Sequence, residues 1–279
     1  MPCHTIAAGV ATSKPNLRLK GQFVEQVTID GRDATILADP GTSVAKPSGA
    51  SQLATLSFTG TDKFYVSGLV IKSGPAGFGI SSAGSLTLDH VQVSQCLGSA
   101  MIVQSVQISN SIIANNGSGI EADVDCKISN SIIVSNGSAT NDNGWGALVV
   151  KGTCTIEYAT IADNKATGVL FQSGITCPNG GVEIGRDNIL SNNKISAACG
   201  LDYSLFDSGT LVAKHNKTGN PAFRNTTFTD PPAADFYRIG ANSGAIDSGD
   251  PQSTVIPDID GVVRPQGNGF DLGASEFKP

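Results

Sequence analysis

Glu121, Asp123 and Lys151 are the side chains whose types and spacing best suit chemistry. If the segment GIEAD (119–123) is extended, Glu121 and Asp123 share one strand face, about 7 Å apart. Two carboxylates at that distance suit an acid and a base flanking a water at a glycosidic bond. Lys151, in ALVVK (147–151), takes the equivalent place one repeat later, beside Asp123. There it is either part of a set serving as acid, base or calcium ligands, or one end of a cross-strand ion pair that keeps both groups charged without function. Material for binding lies close by: Trp145 with Asp142 and Asn143 in an inserted stretch, and the outward amides Gln104 and Gln172. An indole offers a sugar ring an apolar platform and an N–H donor, or else folds back over its own loop.

The elements that must hold these residues follow from an internal repeat. Seven eleven-residue blocks align without gaps, starting at Phe64, Leu86, Val106, Cys126, Cys154, Val182 and Cys199. Their third position is always apolar, Val66, Leu88, Ile108, Ile128, Ile156, Ile184 and Leu201, and so is their eighth, from Ile71 to Ile189 and Phe206. Apolar residues two apart, with a tight turn mid-block, describe two short inward-facing strands. A third strand lies between blocks, in AMIVQ (100–104), GIEAD, ALVVK and GVLFQ (168–172). Three strands in about 20 residues form one coil of a parallel β-helix, in which each coil pairs only with its neighbours. On the inter-block strands Ile120, Ala122, Leu148, Val150, Val169 and Phe171 then point inward. Ile102, Gln104, Glu121, Asp123, Val149, Lys151, Leu170 and Gln172 point outward. The eleventh position, Asn116, Asn136, Asn164 and Asn192, predicts a structural ladder of stacked amides.

The repeat resembles the pectate-lyase-like right-handed β-helix proteins of bacteria over residues 20 to 210. The closing stretch is similar to that of bacterial choice-of-anchor β-helix proteins, carried by NPAFRN, DPPAADFYRIGANSGAIDSGDP (230–251) and PDIDGVVRPQGNGFDLGASEF (257–277). The resemblance implies an all-β, right-handed parallel β-helix with coils and an N-terminal cap in 1–210 and a less regular capping segment in 211–279. It also implies an exported or cell-surface protein whose partner is a polysaccharide or surface glycan. The secretory leader is not expected in this chain, because Met1-Pro2-Cys3-His4 lacks the basic-then-apolar pattern of one.

Composition agrees with many short strands: 15% charged residues, 6% aromatics and 33 glycines leave little for amphipathic helices. A net charge of −6 argues against nucleic acid, and no apolar run approaches a membrane helix. Six cysteines are too dispersed for a disulfide framework. Cys126 and Cys154 share one core column at a separation a disulfide accepts, and are read here as buried free thiols. The carboxylates Asp247, Asp250, Asp258, Asp260, Asp271 and Glu276 make calcium conceivable, although DIDG is followed by Val262 and Val263 where an EF-hand would continue. Pairing of Arg264 with one or two of them, in a segment closing the open end of the helix, is the expected arrangement, and residues 4–13 are expected to cover the other end. No oligomeric state is indicated. A lyase needs a base and several cations, yet the broad face offers Lys151 alone, and neither Asp-Asp nor Gly-His-Gly, the hydrolase motifs, is found. The expected function is therefore glycan binding without turnover, with a lyase or hydrolase as the alternative and a structural stalk as a third possibility.

Overall fold

A computed structural model describes residues 3–50, 53–73, 77–137, 145–166, 172–178, 181–195, 199–208, 215–254 and 257–278, with the backbone alone at 182–184. The chain winds as a right-handed parallel β-helix with three faces, and every ladder between coils is parallel. The broad face carries Val27–Asp30, Leu56–Thr59, the first halves of Ile80–Asp89, Ser99–Ser109 and Ser118–Ser129, then Leu148–Val150 and Ile175–Thr176. The second face carries Asn16–Leu19, Ala34–Ala38, Lys63–Ser67, the second halves of the same three long strands, Thr153–Glu157 and Val182–Arg186. The long strands turn from one face to the next where pairing shifts between Val103 and Ser105. The third face is a ten-stranded sheet from Gln22–Val24 to Lys217–Thr218.

Alternation explains the interior. Ile80, Met101, Ile120, Leu148 and Ile175 stack in register on the broad face and Ile71, Val93, Ile113, Ile133 and Ile161 on the third, all buried in one core. Between the second and third faces the chain turns through a left-handed residue in each coil: His90, Asn110, Asn130, Tyr158, Asp187 and Tyr203, at φ between 43° and 60°. Asn, Asp and His tolerate this conformation because their short polar side chains bond locally, which is why SN recurs mid-block. At the N-terminus Ile6–Ala11 forms a short helix, capped by Thr5, with Ile6 buried in the core and Glu25 accepting from the backbone N–H groups of Ile6 and Ala7.

Four features differ from the sequence reading. The coil beginning at Val182 contains one extra residue: Cys154 pairs with Val182 but Thr155 with Ile184. A single-residue bulge displaces every later position. Gly185 rather than Ile184 therefore follows Ile156, Leu190 rather than Ile189 follows Ile161, and Asn193 rather than Asn192 ends the amide ladder. The strand beside Leu148–Val150 is Ile175–Thr176, later than GVLFQ, of which residues 168–171, including Val169, Leu170 and Phe171, lie outside the described residues. Cys126 and Cys154 form a disulfide instead of free thiols, with Cα atoms 4.4 Å apart, and Cys177 and Cys199 form a second at 5.6 Å. Adjacent-coil registration places Cys126 directly opposite Cys154, so the bridge demands no backbone movement.

The C-terminal segment is the fourth difference. Expected over the open end of the helix, it also runs along the outside of the third face, packed on the same solenoid. Phe236, Tyr237 and Ala274 pack on the outward Ala114, Ile132, Val134 and Ala162, while Ile239, Ala245 and Leu272 pack on Ile189 and Leu205. Its carboxylates are consumed in its own folding. Asp271 accepts from the N–H groups of Asp247 and Phe277, Asp258 from those of Asp260, Val262 and Glu276, and Asp187 of the helix from that of Asp250. Arg264, wholly buried, pairs with Glu276 at 3.0 Å as expected, and its guanidinium lies 4.4 Å over the Tyr158 ring.

Candidate functional site

Glu121 and Asp123 leave the broad face from the strand Ser118–Ser129, with Ile120 and Ala122 alternating into the core between and beside them. Register places Glu121 opposite Ile102 on one side and Val149 on the other. Lys151 follows the strand Leu148–Val150 and its ammonium lies between both carboxylates, 2.8 Å from Asp123 and in contact with Glu121. Gln104, one coil earlier, donates from Nε2 to the second oxygen of Asp123 at 3.2 Å. Hydrogen bonds to Asp123 first and Glu121 second hold the Lys151 ammonium above the usual lysine range. The structure thus brings together Gln104, Glu121, Asp123 and Lys151, as the column reading requires.

The remaining expected residues fare differently. Trp145 is half-buried at the entry to the Leu148–Val150 strand, and Gly146 beside it sits so close to the Ser173 carbonyl that a Cβ there would lie 1.7 Å from its oxygen. Asp142 and Asn143 lie outside the described residues. Gln172 is not in the Lys151 column: it precedes the Ile175–Thr176 strand, and its backbone N–H donates to the Thr176 hydroxyl at 2.7 Å. Val149, expected outward, does occupy the outward column, yet it is buried, as is Thr176 next to it. The open part of the broad face therefore ends at Glu121 and Lys151.

Other polar groups on these columns escaped the sequence reading. Asp125, at the bend after Asp123, accepts from the hydroxyls of Ser105 at 3.1 Å and Thr153 at 3.3 Å, its partners in the coils on either side. The signal was present, since Ser105, Asp125 and Thr153 each precede the first residue of a block. Farther along the second face, Arg186 pairs with Glu157 and reaches Asp250 of the C-terminal segment at 3.5 Å. Exposed His215 bonds Asp202 at 3.0 Å and stacks on Tyr203. These residues sit where the bulge and the fold-back bring distant segments together, which no local pattern encodes. Among the described residues, no group of three or more His, Cys, Asp or Glu side chains is arranged to hold a metal ion. No helix is long and apolar enough to cross a membrane.

No protein-family model matches the chain, and no curated protein is similar to it. Among solved structures it superimposes on that of pectate lyase Pel9A with a TM-score of 0.59, covering 97% of this chain and 90% of that one at 16% identity. The fold is a pectate-lyase-like parallel β-helix. A pectin methylesterase variant, solved with a hexasaccharide, matches at a TM-score of 0.45 and 12% identity over 73% of this chain and 75% of that one. At such identities the likeness is one of architecture, and chemistry must be argued from this chain's own side chains.

Proposed function

We propose that the protein is an extracellular or cell-surface β-helix that binds a polysaccharide at the broad face beside Trp145 without cleaving it. The observation carrying this reading is the self-satisfied set Gln104–Glu121–Asp123–Lys151, in which the cation sits between both carboxylates. Elimination from a uronate requires a deprotonated base and a cation available to the substrate carboxylate. Lys151 is instead held charged by two anions, and each anion is engaged by Lys151. Hydrolysis by two carboxylates needs both turned to the scissile bond and its water, and here both are engaged by Lys151.

Binding asks less of the same surface. The partly exposed Trp145 ring, whose nitrogen is itself buried, supplies an apolar platform, and the Gln104 amide and the ion-pair edges supply donors and acceptors, which orient a sugar without reacting with it. That the similarly folded Pel9A is a pectate lyase supports a polysaccharide as the partner. Two disulfides support an oxidising compartment, and the resemblance of the closing stretch to that of choice-of-anchor proteins supports placement at the cell surface.

The test is incubation of the purified protein with a panel of polysaccharides, with and without calcium, following retention on the polymer and release of shortened or unsaturated products. Retention without products is expected, and Trp145→Ala should weaken it with the fold intact. Product release abolished in Lys151→Ala would replace this reading with a lyase or hydrolase at the same residues.

A further inference from the structure

The closing segment is built to hold itself together without the helix beneath it. Within it Asp271 and Asp258 accept from backbone N–H groups of the same segment, Arg264 pairs with Glu276, and Arg238 grips Asp260 through two hydrogen bonds at 2.6 and 2.7 Å. What it covers is apolar: the outward Ile112, Ile132 and Val134 of the third face, with Ile189 and Leu205 farther along. Side-chain ties to the helix at Lys72, Asn130, Asp163 and Lys217 are only partly buried. Two helix residues hold the segment from fully buried positions. One is Thr160, whose hydroxyl accepts from the Ala274 N–H at 3.0 Å, and the other is Asp187.

Asp187 takes the left-handed turn position of its coil, at φ 60°. One carboxylate oxygen accepts from the Asp250 N–H at 2.6 Å, the other from the Ser253 hydroxyl, and its backbone carbonyl from the Gly273 N–H at 2.8 Å. A single side chain and its own carbonyl thus fasten two separate stretches of the segment. The charged and titratable groups around it are Glu157 and Tyr158 in the coil before, Arg186 next in sequence, Asp202 and Tyr203 in the coil after, and Asp250 and Arg264 from the segment. Arg186 is paired with Glu157 and Asp250, and among the described residues no lysine or arginine pairs with Asp187. Burial pushes the Asp187 carboxyl above the usual carboxylate range. Hydrogen bonds from Ser253 and the Asp250 N–H pull it back, and the like charge of Asp250 adds to the rise.

We infer that the closing segment is a releasable lid over an apolar stripe of the third face, latched at Asp187, and that the latch holds more firmly in acid than at neutral pH. A segment whose polar groups satisfy one another can lift without orphaning them, so it opens as a unit while the coils stay paired. A buried carboxylate with no cation against it is held better with its proton than without. Its hold is complete below about pH 4 and weakens as pH rises through the raised value. The inference concerns a different face from the glycan-binding reading and does not depend on it.

The test is amide hydrogen exchange of the full chain at about pH 4 and about pH 7.5, with each rate divided by that of the unstructured chain. The N–H groups of Asp250, Gly273 and Ala274 should open severalfold more at the higher pH, while Ile113 and Ile133 in the core stay protected at both. Asp187→Asn, which imitates the protonated side chain, should keep the lid closed at both. Ser253→Ala, with one latch bond gone, should open it more at both while core protection shows the coils intact. Lid and core opening together would overturn the separate lid. A pH difference that survives in Asp187→Asn, one that disappears only in Asp271→Asn, or a Ser253→Ala lid no looser than the parent's would overturn the latch at Asp187.

Discussion

Replacing Asn136 with Ala removes the centre of the amide ladder, and its cost follows from the bonds that break. The Asn136 carbonyl oxygen accepts from the backbone N–H and the Nδ2 of Asn116, at 3.3 and 2.8 Å. Its own Nδ2 donates to the Ile113 carbonyl at 2.9 Å and to Asn164 Oδ1 at 3.0 Å. Asn136 is fully buried, so water does not replace these partners without opening the coil. Leaving the buried Asn116 N–H without an acceptor costs about 1–3 kcal/mol, and weakening the other three bonds costs about 0.5–1.5 kcal/mol each. With partial relaxation the loss should be about 3–5 kcal/mol, a large share of the roughly 5–15 kcal/mol typical of folded domains. The assay is equilibrium urea unfolding followed by circular dichroism, with Asn192→Ala as the comparison. Asn192 faces outward and among the described residues bonds Asp163 Oδ1 and, through its backbone, Asp207, so its truncation should cost about 1 kcal/mol or less. If Asn192→Ala were as damaging as Asn136→Ala, the placement of the ladder on Asn193 would be wrong. If Asn136→Ala lost less than about 1 kcal/mol, the ladder would not hold the coils together.

Reduction of the two disulfides, which join residues 28 and 22 apart, should destabilise the chain by about 3.5 kcal/mol each in the loop-entropy description. A melting temperature unchanged by a reductant that frees four extra thiols would refute it. Burial pushes the Asp271 carboxyl from 3.8 up to about 6, so the native state binds a proton that the unfolded chain releases first. Its contribution to stability is therefore present below about pH 4 and lost, by about 3 kcal/mol, as pH rises through 6. Unfolding curves of the parent and Asp271→Asn, measured between pH 4 and 7.5, should diverge by about that amount; parallel curves would show that Asp271 titrates normally.

The fold was legible because the repeat obeys a period of two, and because each inward position is read once per coil in the same place. The eighth-position column from Ile71 to Ile161 is continuous in the core for that reason. The reading slipped where one residue was added. Ile184 and Gly185 both satisfy a gapless alignment, and only the pairing of Thr155 with Ile184 reveals the bulge. The fold-back of the C-terminal segment had a signal that went unused. Ile112-Ile113-Ala114 and Ile132-Ile133-Val134 are apolar at every position, and a strand apolar on both sides is buried on both sides. In the outward column the residues read Ser43, Val70 and Gln92 before the segment arrives and Ile112, Ile132 and Thr160 under it, where the Thr160 hydroxyl accepts from the Ala274 N–H. Those outward isoleucines demand a lid, and the closing segment of the chain is the part of the sequence left to provide it.

The site was legible in a narrower sense. Column arithmetic brought Gln104, Glu121, Asp123 and Lys151 together, because strand register alone decides which outward residues meet. It could not weigh them, since whether two carboxylates and a lysine make an acid–base pair or neutralise each other depends on where the ammonium comes to rest. Here it rests between both. The same arithmetic on the second face identifies Tyr65, Thr87, Gln107 and Lys127 as one column, and there the outcome is reversed, with each group spaced by a coil from the next and none satisfying its neighbour. On a solenoid built of repeating hydroxyls and amides, the informative property of an outward polar residue is therefore whether the next coil has already used it. On the broad face the coils on either side of Asp123 have both used it, one through Gln104 and the other through Lys151.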